Sequence, residues 1–269
     1  MQKILAALYL SVATVSLTLS VSALPAKAQS TGASSGVIEE VVVTSERREQ
    51  ALSKVPQSVS AFTSERMDQL DIKNFSDLVK YTPGVTFDEA SNNISIRGIN
   101  SSAGDATTGI YIDDTPIQIR TLGFGSDNTL PAVFDLERVE VLRGPQGTLF
   151  GAGSEGGTVR YITPTPSLTD FSTYGKAELS TTKGGAPSYE AGAAFGGPII
   201  ENKLGFRVSA WYRRDGGYID HLDYLSGDTI QKNYNHSGTL CRRGASTGEP
   251  TSSLTITPSI YYQNRRVHN

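Results

Sequence analysis

Glu137-Arg138-Val139-Glu140-Val141-Leu142-Arg143-Gly144-Pro145-Gln146-Gly147-Thr148-Leu149-Phe150-Gly151 is the stretch on which the fold turns. Arg138 to Leu142 alternates charged and β-branched residues, the period of a strand, and Gly144-Pro145 then breaks it. A second glycine-dense run follows, Gly151-Ala152-Gly153-Ser154-Glu155-Gly156-Gly157, which matches G-x-G-x-x-G. That motif binds a dinucleotide only where a helix N-terminus faces the pyrophosphate. Here Thr158-Val159-Arg160-Tyr161-Ile162-Thr163 comes next, β-branched and alternating, and Pro164 ends it. A strand offers no helix N-terminus, and no Lys-Ser or Lys-Thr pair makes a P-loop. The reading is strand, tight glycine loop, strand.

Upstream, Val59-Ser60-Ala61-Phe62 alternates like a strand and leads into a short helical pattern ending at Leu70. Asn74 with Asp77 resembles a capping box. Phe75, Leu78 and Val79 fall on one helical face, and Thr82-Pro83-Gly84 stops that helix. Val85-Thr86-Phe87, Ile94-Ser95-Ile96-Arg97 and Gly109-Ile110-Tyr111-Ile112 read as further short strands, separated by the polar loops 100–108 and 120–129. Together these segments predict a small α+β domain over residues 50–165.

The N-terminus reads as an address. Lys3 precedes an apolar run from Ile4 to Leu24, and Ala26-Lys27-Ala28 supplies small residues where a signal peptidase cuts, so residues 1–28 are expected to be removed before Gln29. Residues 29–49 form a linker whose first part is small and polar. Within it lies the β-branched run Ile38-Glu39-Glu40-Val41-Val42-Val43-Thr44. On its own this run fits either an edge strand of the following domain or a strand added to another protein's sheet.

Beyond residue 170 the period stays at two. Leu204, Phe206, Val208, Ala210 and Tyr212 alternate with Gly205, Arg207, Ser209, Trp211 and Arg213. Strands of roughly ten residues with apolar-out, polar-in alternation fit a transmembrane barrel. Five strand slots are counted, 172–182, 188–197, 203–213, 239–248 and 253–263, with Pro258 interrupting the last. Five strands do not close a barrel around a domain of this size, so the barrel is expected to be incomplete and the chain truncated. The stretch 240–249, with adjacent Arg242 and Arg243, has no apolar face, which suggests a local sequence error or a degenerating gene.

Composition narrows the function classes. The 269 residues are 38% apolar and carry a formal charge of −3 without long runs of one sign, which argues against a nucleic-acid partner. No internal apolar stretch is long enough for a polytopic helical membrane protein. Cys241 has no partner for a disulfide or a cysteine-based zinc site. His221, His236 and His268 are read as solvated loop residues. No cofactor, metal or catalytic constellation is expected.

In order along the chain, Glu40-Val41-Val42-Val43-Thr44, Thr82-Pro83-Gly84-Val85, Ile94-Ser95-Ile96-Arg97-Gly98, Ile110-Tyr111-Ile112-Asp113-Asp114, the Glu137–Gly151 block and Gly156-Gly157-Thr158-Val159 resemble the N-terminal part of TonB-dependent outer-membrane receptors. The resemblance implies an α+β plug domain followed by the first antiparallel strands of a transmembrane β-barrel, a barrel of roughly 22 strands in that family. It implies that Glu40, Val41, Val42, Val43 and Thr44 are the TonB box, which pairs with TonB, itself working with ExbB and ExbD at the inner membrane. Arg97 and Arg143 would face acidic groups of the barrel wall. Asn100, Ser101, Ser102, Asp105, Thr107, Arg120, Phe124, Asp127 and Asn128 would meet an extracellular small ligand such as a ferric siderophore. The location implied is the outer membrane of a Gram-negative bacterium, in contact with its lipid. The competing expectation is a truncated, non-transporting periplasmic fragment that binds TonB.

Overall fold

The computed structural model describes residues 41–89, 91, 93–100, 107–117, 130–251 and 253–268. The expected signal peptide and the linker as far as Glu40 lie outside the described residues. In chain order the elements begin with β1 (Val42–Val43), β2 (Gln50–Ala51), β3 (Ser58–Thr63), α1 (Ser64–Gln69) and α2 (Phe75–Lys80). They continue with β4 (Val85–Asp88), β5 (Asn93–Ile96), β6 (Thr108–Ile112), β7 (Thr115–Pro116), β8 (Arg138–Arg143), α3 (Gly147–Phe150) and β9 (Gly157–Ile162).

The α+β part is built on a sheet of order β3-β8-β9-β6-β7, antiparallel except for the β6–β9 pair. Val139, Val141, Val159 and Tyr161 project from one face of it into a core shared with Phe62, Met67, Phe75, Leu78, Ile94, Ile96 and Ile110. Helices α1 and α2 carry side-chain N-caps, the second at the Asn74 that the sequence predicts. The Thr63 hydroxyl accepts from the Arg66 N–H at 3.3 Å, and the Asn74 side chain accepts from the Asp77 N–H at 3.0 Å. The Asp77 carboxylate reaches back to the Lys73 N–H at 3.1 Å, one residue before the cap, in the manner of a capping box. The glycine-rich run enters strand β9, as its β-branched sequel requires. Gly157 starts that strand at φ 154°, where a Cβ would lie 2.2 Å from the Leu142 carbonyl oxygen, so no side chain fits.

The second part is one antiparallel sheet. It comprises β10 (Ser172–Thr181), β11 (Pro187–Ile200), β12 (Leu204–Asp215), β15 (Ser237–Thr251), β16 (Leu254–Ile256) and β17 (Ser259–Val267). A small hairpin, β13 (His221–Leu222) and β14 (Thr229–Gln231), decorates the β12–β15 connection. The order is β10-β11-β12-β15, with β16 and β17 both pairing β15, and the described strands leave the barrel unclosed. Leu179, Tyr189, Phe195, Val208, Tyr212, Ile260 and Tyr262 are exposed on one face, while Glu190, Arg207, Trp211, Cys241 and Arg243 are buried on the other. That is the outward-apolar alternation of a membrane strand. No described helix is long and apolar enough to cross a membrane.

Two details refine the strand reading. Pro258 separates β16 from β17, so the last slot is split where the missing donor falls. The stretch 240–249 belongs to β15, at 15 residues the longest strand, in unbroken register with β12 from Gly248 back to Ser237. Its buried positions Thr239, Cys241, Arg243, Ala245 and Thr247 face inward, and Gly238 and Gly244 stand outward. The departure from the pattern is one of composition and not of fold.

The α+β part packs on the inner face of these strands. Phe134 stacks on Trp211 with centroids 6.0 Å apart, and a Cβ at Gly192 would lie 2.6 Å from both rings. Arg207 donates its Nε to both carboxylate oxygens of Asp135 at 3.1 Å, adds an Nη2 contact, and donates Nη1 to the Ser172 hydroxyl at 2.9 Å. Lys73 reaches Glu178 at 2.5 Å, and the Gln263 side chain accepts from the Ala132 N–H at 2.8 Å and donates to the Leu130 carbonyl at 2.9 Å. Burial works against the Lys73 charge, but the hydrogen bonds it donates to Glu178 and Asp71 outweigh it and raise its pKa.

Two predictions follow from this seam. Asp135→Ala leaves the buried Arg207 guanidinium without its carboxylate and costs about 3–5 kcal/mol, read from urea denaturation of the detergent-solubilised chain. An unchanged midpoint would show that the pair contributes nothing. For Lys73 the folded pKa is raised, so its stabilisation is present at neutral pH and is lost as pH rises through that folded value. The stability difference between the native chain and Lys73→Met is therefore expected to shrink above the ordinary lysine range. Thermal denaturation across pH measures it.

Candidate functional site

The N-terminal segment is built from Val41 onward, Glu40 lying outside the described residues. Val42 and Val43 pair antiparallel with Ala51 and Gln50, and the Leu52 N–H donates to the Val41 carbonyl at 2.8 Å. Val42 is exposed, whereas Val43 is fully buried. The chain then turns back through the Arg47 N–H to Thr44 carbonyl bond, 2.9 Å, with Arg47 at φ 58°. This segment lies against the second face of the β8–β9 sheet.

That face is charged. Glu140 and Arg160 are direct cross-strand partners, and Arg138 sits two residues from Glu140 on the same side. Glu140 is 0% exposed. It accepts from Arg138 Nε at 2.8 Å through one oxygen and from Arg160 Nη1 at 2.9 Å through the other. Arg138 also pairs with Glu137, and Arg160 reaches Asp114 at 3.2 Å. The Phe150 ring lies 5.4 Å from the guanidinium carbons of both Arg160 and Arg47. Thr44 enters this cluster with its N–H, carbonyl and hydroxyl together. On the opposite, apolar face, burial pushes the Tyr161 phenol up.

Arg97 and Arg143 meet at a second place, the Pro83-Gly84 turn. The Arg97 N–H donates to the Gly84 carbonyl at 2.7 Å with Arg97 at φ 54°, and Arg143 Nη1 donates to the Pro83 carbonyl at 2.8 Å. A Cβ at Gly144 would stand 3.4 Å from Arg97 Nη1, so the two arginines share one corner. Among the described residues neither forms an ion pair.

Of the loop residues, Ser101, Ser102, Asp105, Arg120, Phe124, Asp127 and Asn128 lie outside the described residues. Asn100 is exposed. Thr107 accepts from the Gly156 N–H at 2.9 Å through its carbonyl and keeps its hydroxyl buried. A cavity of about 380 Å³ opens between the α+β part and the strands, lined by Lys73, Glu89, Leu130, Trp211, Arg213 and Arg265 among others. Leu130 directly follows the predicted ligand loop, but Asn100 and Thr107 do not line the cavity. His236 and His268, far apart in sequence, stack at 4.3 Å across the ends of β15 and β17. Among the described residues, no group of three metal-ligating side chains is placed to hold an ion.

Sequence reasoning missed Asp135, Lys73 and the Arg138–Glu140–Arg160 cluster. Only the last carried a signal, charges alternating with β-branched residues in two strands.

The family described as TonB-dependent Receptor Plug Domain matches residues 51–158. The ferripyoverdine receptor of Pseudomonas aeruginosa is 30% identical over 174 residues, covering 63% of this chain and 20% of that protein. The vitamin B12 transporter BtuB of Vibrio vulnificus is 33% identical over 128 residues, covering 46% of this chain and 20% of that protein. The chain thus spans about a fifth of the length of these curated relatives. The crystal structure of the outer-membrane ferripyoverdine receptor of Pseudomonas aeruginosa, bound to ferripyoverdine, superposes with a TM-score of 0.65 at 25% identity, over 84% of this chain and 27% of that one. Those relatives are named as receptors and transporters. With a TonB-dependent receptor plug domain matched at residues 51–158 and seated on outward-apolar antiparallel strands, the chain is similar to TonB-dependent receptors of the Gram-negative outer membrane over the plug and part of the barrel.

Proposed function

We propose that this chain serves the TonB-dependent import of a ferric siderophore across the outer membrane. The single observation that carries the reading is the likeness to a ferripyoverdine receptor, which extends beyond the plug into the strands. In this reading residues 1–28 direct export, residues 29–49 carry the TonB box at Glu40–Thr44, residues 50–165 are the plug and residues 170–269 begin the barrel. Ligand binds over the loops 100–108 and 120–129 from outside. TonB, working with ExbB and ExbD, pairs with residues 40–44 from the periplasm and remodels the plug. Arg97 and Arg143, gathered at one corner and without an ion pair among the described residues, would take acidic groups of the wider barrel wall.

Two measurements test this. Trp211 is the only tryptophan and lines the plug–strand cavity, so ferric siderophores are expected to quench its fluorescence saturably, and cyanocobalamin is not. The reverse order would move the chain to a different substrate. Separately, Val42→Cys is expected to form a disulfide with a cysteine placed in the pairing strand of TonB. No cross-link at any position from 41 to 44 would reject the TonB box.

A further inference from the structure

Strand β15 opens at Ser237, which pairs with Val267 of β17. One step further along that ladder His236 and His268 stand opposite each other, and the His268 N–H donates to the His236 carbonyl at 3.0 Å. Their rings stack with centroids 4.3 Å apart and planes 19° from parallel. His236 is half-buried and His268 exposed. Among the described residues neither ring enters a hydrogen bond or an ion pair. No spacing in the sequence announces the pair, because only the β15–β17 register brings the two together.

We propose that His236 and His268 form a binding site for a divalent transition metal ion of the copper, nickel or zinc type. Three observations carry this. First, the backbone already sets the span. A metal bonded at about 2.0–2.1 Å to each of two imidazole nitrogens holds those nitrogens no more than about 4 Å apart, close to the existing ring separation. Binding then needs side-chain rotation and no movement of the strands. Second, the ring nitrogens have no other partner, and imidazole is the ligand that suits these three metals. Third, the surroundings disfavour the hard cations. Arg214 and Arg266 both pair with Gly238, two residues from His236. Asp215, opposite Ser237, is engaged by Arg213 and by the Ser237 hydroxyl. A magnesium or calcium ion, which depends on oxygen ligands, would meet two guanidinium groups and gain no free carboxylate. A transition ion gains from the nitrogen lone pairs, and water fills its remaining positions. It would clip β15 to β17 at the end where Thr239, Arg265 and Val267 line the cavity.

The test uses the full chain in detergent, without an affinity tag. Calorimetric titration with Ni²⁺ is expected to show binding that weakens in acid, where protons compete for the nitrogens, and Mg²⁺ is expected to give none. His236→Gln and His268→Gln each lower the Ni²⁺ affinity about tenfold or more, since one imidazole then binds without the second held at hand. His221→Gln, which removes the remaining histidine, leaves the affinity unchanged. Pulsed EPR at one equivalent of Cu²⁺ counts two imidazoles on the ion in the native chain and one in His268→Gln. Without metal the variants melt as the native chain does, and saturating Ni²⁺ raises the midpoint of the native chain alone. Equal Ni²⁺ affinity in the native chain and His268→Gln overturns the site, as does a single imidazole in the native EPR signal. An equal loss of affinity in His221→Gln overturns it too, and so does a Ni²⁺-induced rise of the same size in the variants.

Discussion

A carboxylate with no solvent exposure, held between two guanidinium groups on a strand buried from both sides, is the constraint on which the plug depends. Strand β8 cannot be an ordinary half-exposed strand, because both its faces are buried, Val139 and Val141 on one and Arg138, Glu140 and Leu142 on the other. The apolar face is satisfied by α1, α2 and the β4–β5 hairpin. The charged face needs a cover that brings hydrogen bonds rather than methyl groups, since desolvated charges demand partners. Arg160 from β9 supplies the cross-strand half of the answer and the N-terminal segment supplies the rest. An apolar strand laid there would leave the guanidinium donors unpaired, so the polar end of the Val-Val-Val-Thr run is the part that docks.

The plug is joined to the barrel strands on a different principle. Its own core is apolar and continuous, whereas the seam to the strands mixes one aromatic patch around Phe134 and Trp211 with separate polar anchors at Asp135, Lys73, Leu130 and Ala132. Polar anchors of this kind have favourable geometry only in one seating, so they fix register without gluing the surfaces over a large apolar area. Gly192 shows how close that seating is, because any side chain there would collide with both Phe134 and Trp211.

Much of the fold was legible because it is written in local periodicity. The alternation from 172 to 213 places the strands to within a few residues, the Asn74–Asp77 pair announces α2, and the β-branched run after Gly157 excludes the helix that a nucleotide site would need. What was not legible depends on partners distant in sequence. Asp135 lies in a loop, and nothing in its neighbourhood marks it as the mate of Arg207, 72 residues on. Stretch 240–249 lacks an apolar face because Leu240 shares the outward side with Arg242, Gly244, Ser246 and Gly248, while the inward side meets the plug, as where Arg243 donates to the Pro164 carbonyl. Arg138, Glu140 and Arg160 were visible as a motif but not as a cluster, since their meeting requires the β8–β9 register.

The order in which these contacts yield follows from their placement. A two-residue ladder at Val42–Val43 precedes the cluster at Thr44, so displacement from the N-terminal side meets the ladder first and reaches the charged cluster next. Behind it, the Arg47 N–H to Thr44 bond and the Arg47 guanidinium over Phe150 tie the turn to α3. Each contact is polar and loaded in sequence, whereas the Val139–Val141 face is apolar and gives way only as a unit. The chain therefore places its separable polar interactions at the N-terminal segment and its cooperative apolar ones at the sheet. The two-faced strand β8 is where they meet.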